Sequence, residues 1–201
     1  MLAAFPVFAQ DIRYNPQPLQ DLGAFVKEKL DRGELDLDQS FKVVAEVVLT
    51  NDGRFDMSID GATNKPKSRF VSAEGDDAMV SAAKSAIEAA GNSGAFGYLK
   101  NLGADKLKIT FAQDKANVSG TIESEHPTAQ KAQTAASGLK MLMNFAGKYS
   151  RMSEDEKTLF SGFRSATSNE KIVIINYLLP KQTAHEILLR NLKKAAESGK
   201  W

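Results

Sequence analysis

The feature of the sequence that most constrains its fold is a pair of strand patterns followed by a helix pattern, which recurs three times along the 201 residues. The strand patterns begin near Val43, Leu107 and Phe163. Alternation of apolar and polar side chains gives a sheet one apolar face, and the helix after each pair of strands can cover that face. The sequence therefore predicts an α+β fold, in which three successive β-hairpin–helix units form one or two antiparallel sheets with the helices packed on one face.

The first unit is predicted to be a hairpin of residues 43–49 and 55–59, followed by a helix over residues 76–90. Apolar and polar residues alternate over 55–59, which is typical of a strand with one face in water. Asp52 and Gly53 lie between the two runs and favour the tight turn that a hairpin needs. We expect these two strands to pair with each other.

The second and third units follow the same order. Strands are predicted at residues 106–111 and 118–122, with a turn at Asp114 and Lys115, and a helix opens at Pro127. The last pair of strands is predicted at residues 163–167 and 172–179, and a helix follows it. The run IVIINYLL shows no alternation, which indicates a strand covered on both faces in the middle of a sheet.

The predicted domain organisation has three parts. Residues 1–18 form an apolar segment and a proline-containing extended linker, residues 19–104 the first hairpin–helix unit, and residues 105–201 the other two. One continuous domain over residues 19–201 is the alternative. Within the first unit, a short amphipathic helix is predicted over residues 19–30, and the glycine-rich stretch GNSGAFG is interpreted as a flexible connector.

Composition excludes several classes of function, and the cellular compartment is predicted from the first ten residues. There are 26 Lys and Arg against 25 Asp and Glu, so no overall charge favours nucleic acid. The chain has no cysteine and no run of about 20 apolar residues that could span a bilayer. The opening MLAAFPVFAQ is typical of the end of a truncated signal peptide or of an N-terminal anchor, and an apolar arm on the core is the alternative. We expect a periplasmic or membrane-anchored protein, whose association with the membrane would use the segment upstream of Asp11.

Three segments of the first unit carry a resemblance to a known family. VVAEVVLTNDGRFDMSIDG, AMVSAAKSAIEAA and KLKITFA, within residues 41–112, resemble the C-terminal domain of TonB/TolA-type energy-transducing proteins of the bacterial envelope. The resemblance implies a non-catalytic domain of outer-membrane transport that binds another protein by adding a strand to an open sheet edge. Lys106 and Lys108 would then guard such an edge, and ordinary solvation of the outward face of their strand is the alternative. An accessory or scaffold subunit, bound to a larger membrane complex through helix faces, is the second hypothesis.

No catalytic, cofactor-binding or metal-binding residue is predicted. His126 is expected in a solvated loop, and His185 begins HEILL, in which Leu189 stands where a zinc-protease motif has its second histidine. Ser93 lies between glycines but outside the G-x-S-x-G pattern of a nucleophilic serine. An enzyme is the third hypothesis, and it would require a deep polar pocket lined by Tyr98, Tyr149 or paired acids.

Overall fold

A computed structural model of the chain describes residues 14–146 and 152–198. The segment MLAAFPVFAQ, for which a signal peptide or anchor is predicted, and the candidate residue Tyr149 lie outside these ranges. The elements, in chain order, are α1 (Gln17–Asp31), β1 (Phe41–Val48), β2 (Ile59–Asp60), β3 (Lys65–Pro66), β4 (Arg69–Gly75), α2 (Asp77–Ser93), α3 (Gly97–Asn101), β5 (Lys106–Gln113), β6 (Asn117–Glu125), α4 (Ala129–Ala146), α5 (Glu154–Ser161), β7 (Phe163–Asn169), β8 (Ile172–Pro180) and α6 (Lys181–Ser198).

Six strands form one antiparallel sheet in the order β4-β1-β5-β6-β8-β7. Its three hairpins are β1 with β4, β5 with β6, and β7 with β8, and they are followed by α2, α4 and α6. The α+β fold of three hairpin–helix units is therefore confirmed. The pairing of β1 with β5 joins strands from the two sides of residue 104 into the same sheet.

The predicted partner of the first strand was wrong. Thr50 and Arg54 do close a tight turn around Gly53, but the bridge between Leu49 and Phe55 is the only pair that follows it. The chain then leaves the sheet and forms the small β2–β3 arm, and β4 pairs with β1 instead. Alternation over residues 55–59 was misleading because Phe55 is buried whereas Met57 and Ile59 are 57% and 55% exposed.

The core lies between one face of the sheet and the helices. The strand residues on this face include Val43, Ile109, Val173 and Ile175, and each of them is at most 6% exposed. Helix α4 packs on β7 and β8 through alanines, of which Ala132 is fully buried. Small side chains let the backbone of a helix approach a sheet closely, which explains why the first half of α4 is poor in large residues.

Local sequence signals explain several helix ends. Asp76 caps α2 because its carboxylate accepts a hydrogen bond from the Met79 N–H at 3.0 Å, and α2 ends at Gly94 in the left-handed conformation. A capping box formed by Ser153 and Glu156 begins α5. Helix α1 begins at Gln17, so the second half of the expected extended linker is helical instead.

The other face of the sheet carries no helix from residues 14–146 or 152–198. Strand β8 turns Ile172, Ile174 and Leu178 towards this face, and Leu178 is 38% exposed. The prediction that IVIINYLL lies inside the sheet is confirmed, because β8 pairs with both β6 and β7, but the prediction that both of its faces are covered was wrong. A run without alternation indicates apolar side chains on both faces, but it does not show what covers them.

Candidate functional site: an open sheet edge

The sheet ends in two outer strands, β4 and β7, and no strand within residues 14–146 or 152–198 pairs with their outer sides. Hydrogen-bonded and non-bonded pairs alternate along an antiparallel ladder, so every second residue of an outer strand directs its N–H and C=O outwards. Such a row of groups can pair with a strand of another chain. Both edges therefore have the backbone geometry of a strand-binding site.

The two edges differ in the charges that protect them. Strand β4 carries Arg69 near one end and Glu74 near the other, and Arg69 also pairs with Glu46 of β1 at 2.6 Å. Strand β7 carries Arg164 and is followed by Glu170, and the five residues between them, 165–169, are uncharged, against four uncharged residues between Arg69 and Glu74 of β4. Charged side chains on an outer strand disfavour pairing with another chain. The less protected edge is therefore β7.

A short turn fixes β7 in its register. Two residues, Glu170 and Lys171, join β7 to β8, and Glu170 has a φ of 50°. The Lys171 carbonyl accepts a hydrogen bond from the His126 N–H at 2.8 Å, which fastens the turn to the end of β6. On the helix-covered face, Ala166 is fully buried in the same cluster as Ala132 of α4. The strand is thus held on its inner side and on one face.

A bulge at the start of β7 displaces Arg164. Phe163 and Ser165 pair with consecutive residues of β8, which leaves Arg164 without an opposite residue. The Phe163 ring contacts Tyr177 at 5.2 Å between ring centres. Burial raises the pKa of Tyr177 to about 12, and the nearby Arg164 acts in the opposite direction. Arg164 itself stays exposed at the margin of the sheet.

The open face beside β7 is uncharged. Asn176 lies in its centre, where its amide donates to the Ser165 hydroxyl at 3.0 Å and its carbonyl oxygen accepts from the Thr121 hydroxyl at 3.2 Å. Ile172 and Ile174 lie towards one end of this area, and both are half-buried. An apolar and hydroxyl-bearing surface therefore adjoins the β7 edge.

The charged part of the open face begins on the next strand, β6, where Glu123 lies opposite Ile174, and it corrects the expected role of two lysines. Lys106 and Lys108 are on β5, between β1 and β6, so they are not on an outer strand and cannot guard one. They lie 3.7 Å from Glu125 and 3.6 Å from Glu123 across the β5–β6 pair. These exposed cross-strand pairs are typical of a solvated face.

The expected solvent exposure of His126 was wrong. Its ring is 2% exposed, and Nε2 lies 3.1 Å from the fully buried Ser124 hydroxyl. Burial lowers the pKa of His126, while the Leu102 backbone and the Asp105 carboxylate raise it to a lesser degree. The Nδ1 atom is buried without a well-formed hydrogen bond. The pair is buried and lines neither of the two clefts described below.

His185 belongs to a structural clamp at the opposite end of the sheet. The Gln113 amide nitrogen donates to the carbonyls of Leu37 and Gln39 at 2.6 and 2.8 Å, so its oxygen accepts from His185 Nε2 at 2.9 Å. In neutral His185 the ring proton therefore lies on Nε2. Burial, and then Lys181, lowers the pKa of this histidine.

An open cleft of about 540 Å³ lies beside this clamp. Lys181 lines it and forms a 2.9 Å ion pair with Asp38, and Lys115, Glu186 and Leu189 also border it. Cations and acids are equal in number along this lining. The cleft therefore has no charge that would select an anion or a cation. A smaller groove of about 290 Å³ runs between α1 and α2.

The remaining candidates are structural. Ser93 is fully buried and donates from its hydroxyl to the Ala90 carbonyl at 2.8 Å, which closes the end of α2. The interpretation of GNSGAFG as a flexible connector was therefore wrong, since this stretch forms the end of α2 and the start of α3. Tyr98 is half-buried, and burial raises its pKa. It lines neither cleft.

Across residues 14–146 and 152–198, no group of three or more His, Cys, Asp or Glu side chains is arranged to hold a metal ion, and no helix combines the length and apolarity needed to cross a membrane. The open β7 edge is thus the feature whose geometry and chemistry most clearly permit binding. Comparison of the chain with protein-family models, curated proteins and solved structures gave no match.

Proposed function

We propose that this chain is a non-catalytic protein-binding domain of the bacterial cell envelope, of the TonB/TolA-like class, which pairs an extended segment of another protein with the outer side of β7. The observation that carries the proposal is the contrast between the two sheet edges. Strand β7 has an uncharged outer row over residues 165–169, whereas β4 is charged near both ends. Main-chain hydrogen bonds would supply affinity, and neighbouring side chains would supply selectivity.

The order of elements in the first unit supports the suggested class. Residues 41–113 run strand, strand, α2, strand, with β5 returning beside β1. This is the succession that the resemblance implies, although the second strand is β4 and not residues 55–59. The location in the envelope is part of the same proposal and rests on that resemblance.

The test of binding places a lysine on each of the two outer strands and compares the two variants. Thr167 on β7 and Ser72 on β4 are both exposed on the open face, so either position accepts a lysine without burying it. A lysine on an outer strand disfavours strand addition. We expect Thr167→Lys to reduce recovery of the protein partner from an envelope extract by at least tenfold, and Ser72→Lys to leave it within twofold of the unmodified protein. Equal recovery with both variants, or no envelope partner at all, would refute the proposal.

An accessory subunit that docks through its helices is the second candidate, and the groove between α1 and α2 favours it. The side chains of Leu22 and Phe25 line this groove and remain partly exposed. Phe25→Ser tests this candidate, because it should release the chain from its complex without affecting the β7 edge. Loss of the partner with Phe25→Ser but not with Thr167→Lys would favour the scaffold.

A further inference from the structure

The helix that covers β7 also borders its outer side. Helix α4 crosses from β6 to β7, and its residues Ala132, Ala135 and Ala136 are buried against the sheet. One flank of α4 faces α3, because a Cβ added at Gly138 would lie 3.8 Å from the Tyr98 hydroxyl. The opposite, open flank of α4 lies towards the outer side of β7, and α5, which leads into the start of β7, contacts both α4 and β7.

Helical spacing identifies the residues on this open flank. Successive residues of a helix are about 100° apart, and Gln133, Ser137 and Lys140 fall on the side opposite Gly138. All three are exposed. Any strand that pairs with β7 would direct alternate side chains towards this flank. Of these three residues, only Lys140 is charged.

The lengths of α4 and β7 place Lys140 and Arg164 at about the same position along the direction of β7. Strands β6 and β7 are both antiparallel to β8, so α4 returns antiparallel to β7. Lys140 is eleven residues from the first residue of α4, and Arg164 is five from the last residue of β7. Both separations are about 17 Å at ordinary helix and strand rises. Neither side chain has an acidic partner within the described residues.

We propose, on the basis of the function proposed above, that the segment bound along β7 belongs to a different protein and carries one acidic side chain that meets Arg164 and Lys140. Two unpaired cations beside an otherwise uncharged strand favour one negative group at that level. A second copy of this chain that paired its own β7 here would bring Glu170, which directly follows the strand, as its nearest acid, so self-association of the free chain through β7 would overturn the proposal. The rest of the segment is uncharged, to match residues 165–169.

The probe is a capped octapeptide of alternating Thr and Val in which one central Thr is replaced by Glu, Gln or Lys. Binding is measured by following backbone amide resonances of the ¹⁵N-labelled full chain during titration at low salt. We expect the Glu peptide to shift β7 resonances and to bind about three- to tenfold more tightly than the Gln peptide, with the Lys peptide weakest. The preference should shrink as salt is added.

Two charge variants separate this inference from the function on which it rests. Arg164→Gln with Lys140→Gln should abolish the Glu preference, whereas Lys42→Gln with Lys131→Gln removes the same charge elsewhere and should leave it intact. If Glu and Gln peptides bind equally, and Thr167→Lys abolishes both, then the acidic contact is refuted and edge binding stands. If no peptide shifts β7 resonances, both proposals fail. A Glu preference that survives the first double variant also refutes the acidic contact.

Discussion

Two neighbouring isoleucines of β8 test directly whether one face of the sheet is open. Ile175 points to the helix-covered face and is 6% exposed, between Ile122 of β6 and Ala166 of β7. Ile174 points to the other face and is half-buried. Replacement of each by threonine keeps a β-branched side chain in the strand, so the two variants differ in the face and not in strand propensity.

The expected costs follow from burial. In Ile175→Thr, loss of apolar contact amounts to about 1.5 kcal/mol for two carbon groups. The hydroxyl that replaces them adds about 1–3 kcal/mol because its neighbours are apolar and cannot pair with it. In Ile174→Thr, less apolar area is lost and the hydroxyl reaches water, so we expect less than about 1 kcal/mol. The difference should be at least about 1.5 kcal/mol.

Urea and thermal unfolding measure this difference. For a chain of this length, about 1 kcal/mol shifts the melting temperature by about 2–4 °C, so Ile175→Thr should melt at least about 3 °C below Ile174→Thr. Unfolding at two protein concentrations tests whether a second copy covers the face. Equal destabilisation by the two substitutions would refute the one-sided sheet, since it would mean that both isoleucines are buried in the free protein.

Three other substitutions test the interior. Burial lowers the pKa of His126 below its ordinary value, so the unfolded chain binds more protons than the folded chain as the pH falls through about 6.5. The free energy of unfolding should therefore fall between pH 8 and pH 5. Unfolding at these two pH values should show a smaller loss in His126→Asn. Gly91→Ala should cost about 1–2 kcal/mol in urea unfolding, because the added Cβ would lie 2.4 Å from the Phe55 ring, whereas Gly61→Ala meets no atom within 4 Å and should be neutral. Gln113→Leu should cost about 2–4 kcal/mol by the same assay, because two loop carbonyls lose their donor; a cost below about 1 kcal/mol would contradict the clamp.

Where the sequence predicted the fold well, the information was local. The β5–β6 hairpin follows from strict alternation around an Asx turn at Asp114, whose carboxylate accepts from the Ala116 and Asn117 N–H groups at 2.7 Å. The helices follow from apolar periodicity and from end signals such as Asp76. These patterns depend on residues only a few positions apart.

Where prediction failed, the deciding contacts were distant in sequence. Strand β4 was missed because, of its residues, only Phe70 is even partly covered, so its sequence shows no apolar alternation. Strand β4 pairs with β1, but the β2–β3 arm separates the two strands in sequence. The burial of His126 depends on the packing of Leu102 and Gly103 above it, which no spacing reveals. The β7 edge could not be located either, since strand order is decided by the whole sheet.

Site-specific photo-crosslinking in cells tests the central claim most directly. A photoreactive amino acid is placed at Thr167 on β7 or, as the matched control, at Ser72 on β4, and adducts are identified by mass spectrometry. The account predicts one discrete adduct at Thr167, formed with an extended segment of an envelope protein, and none of comparable yield at Ser72. An adduct of equal yield at Ser72, or no adduct at Thr167, would contradict it.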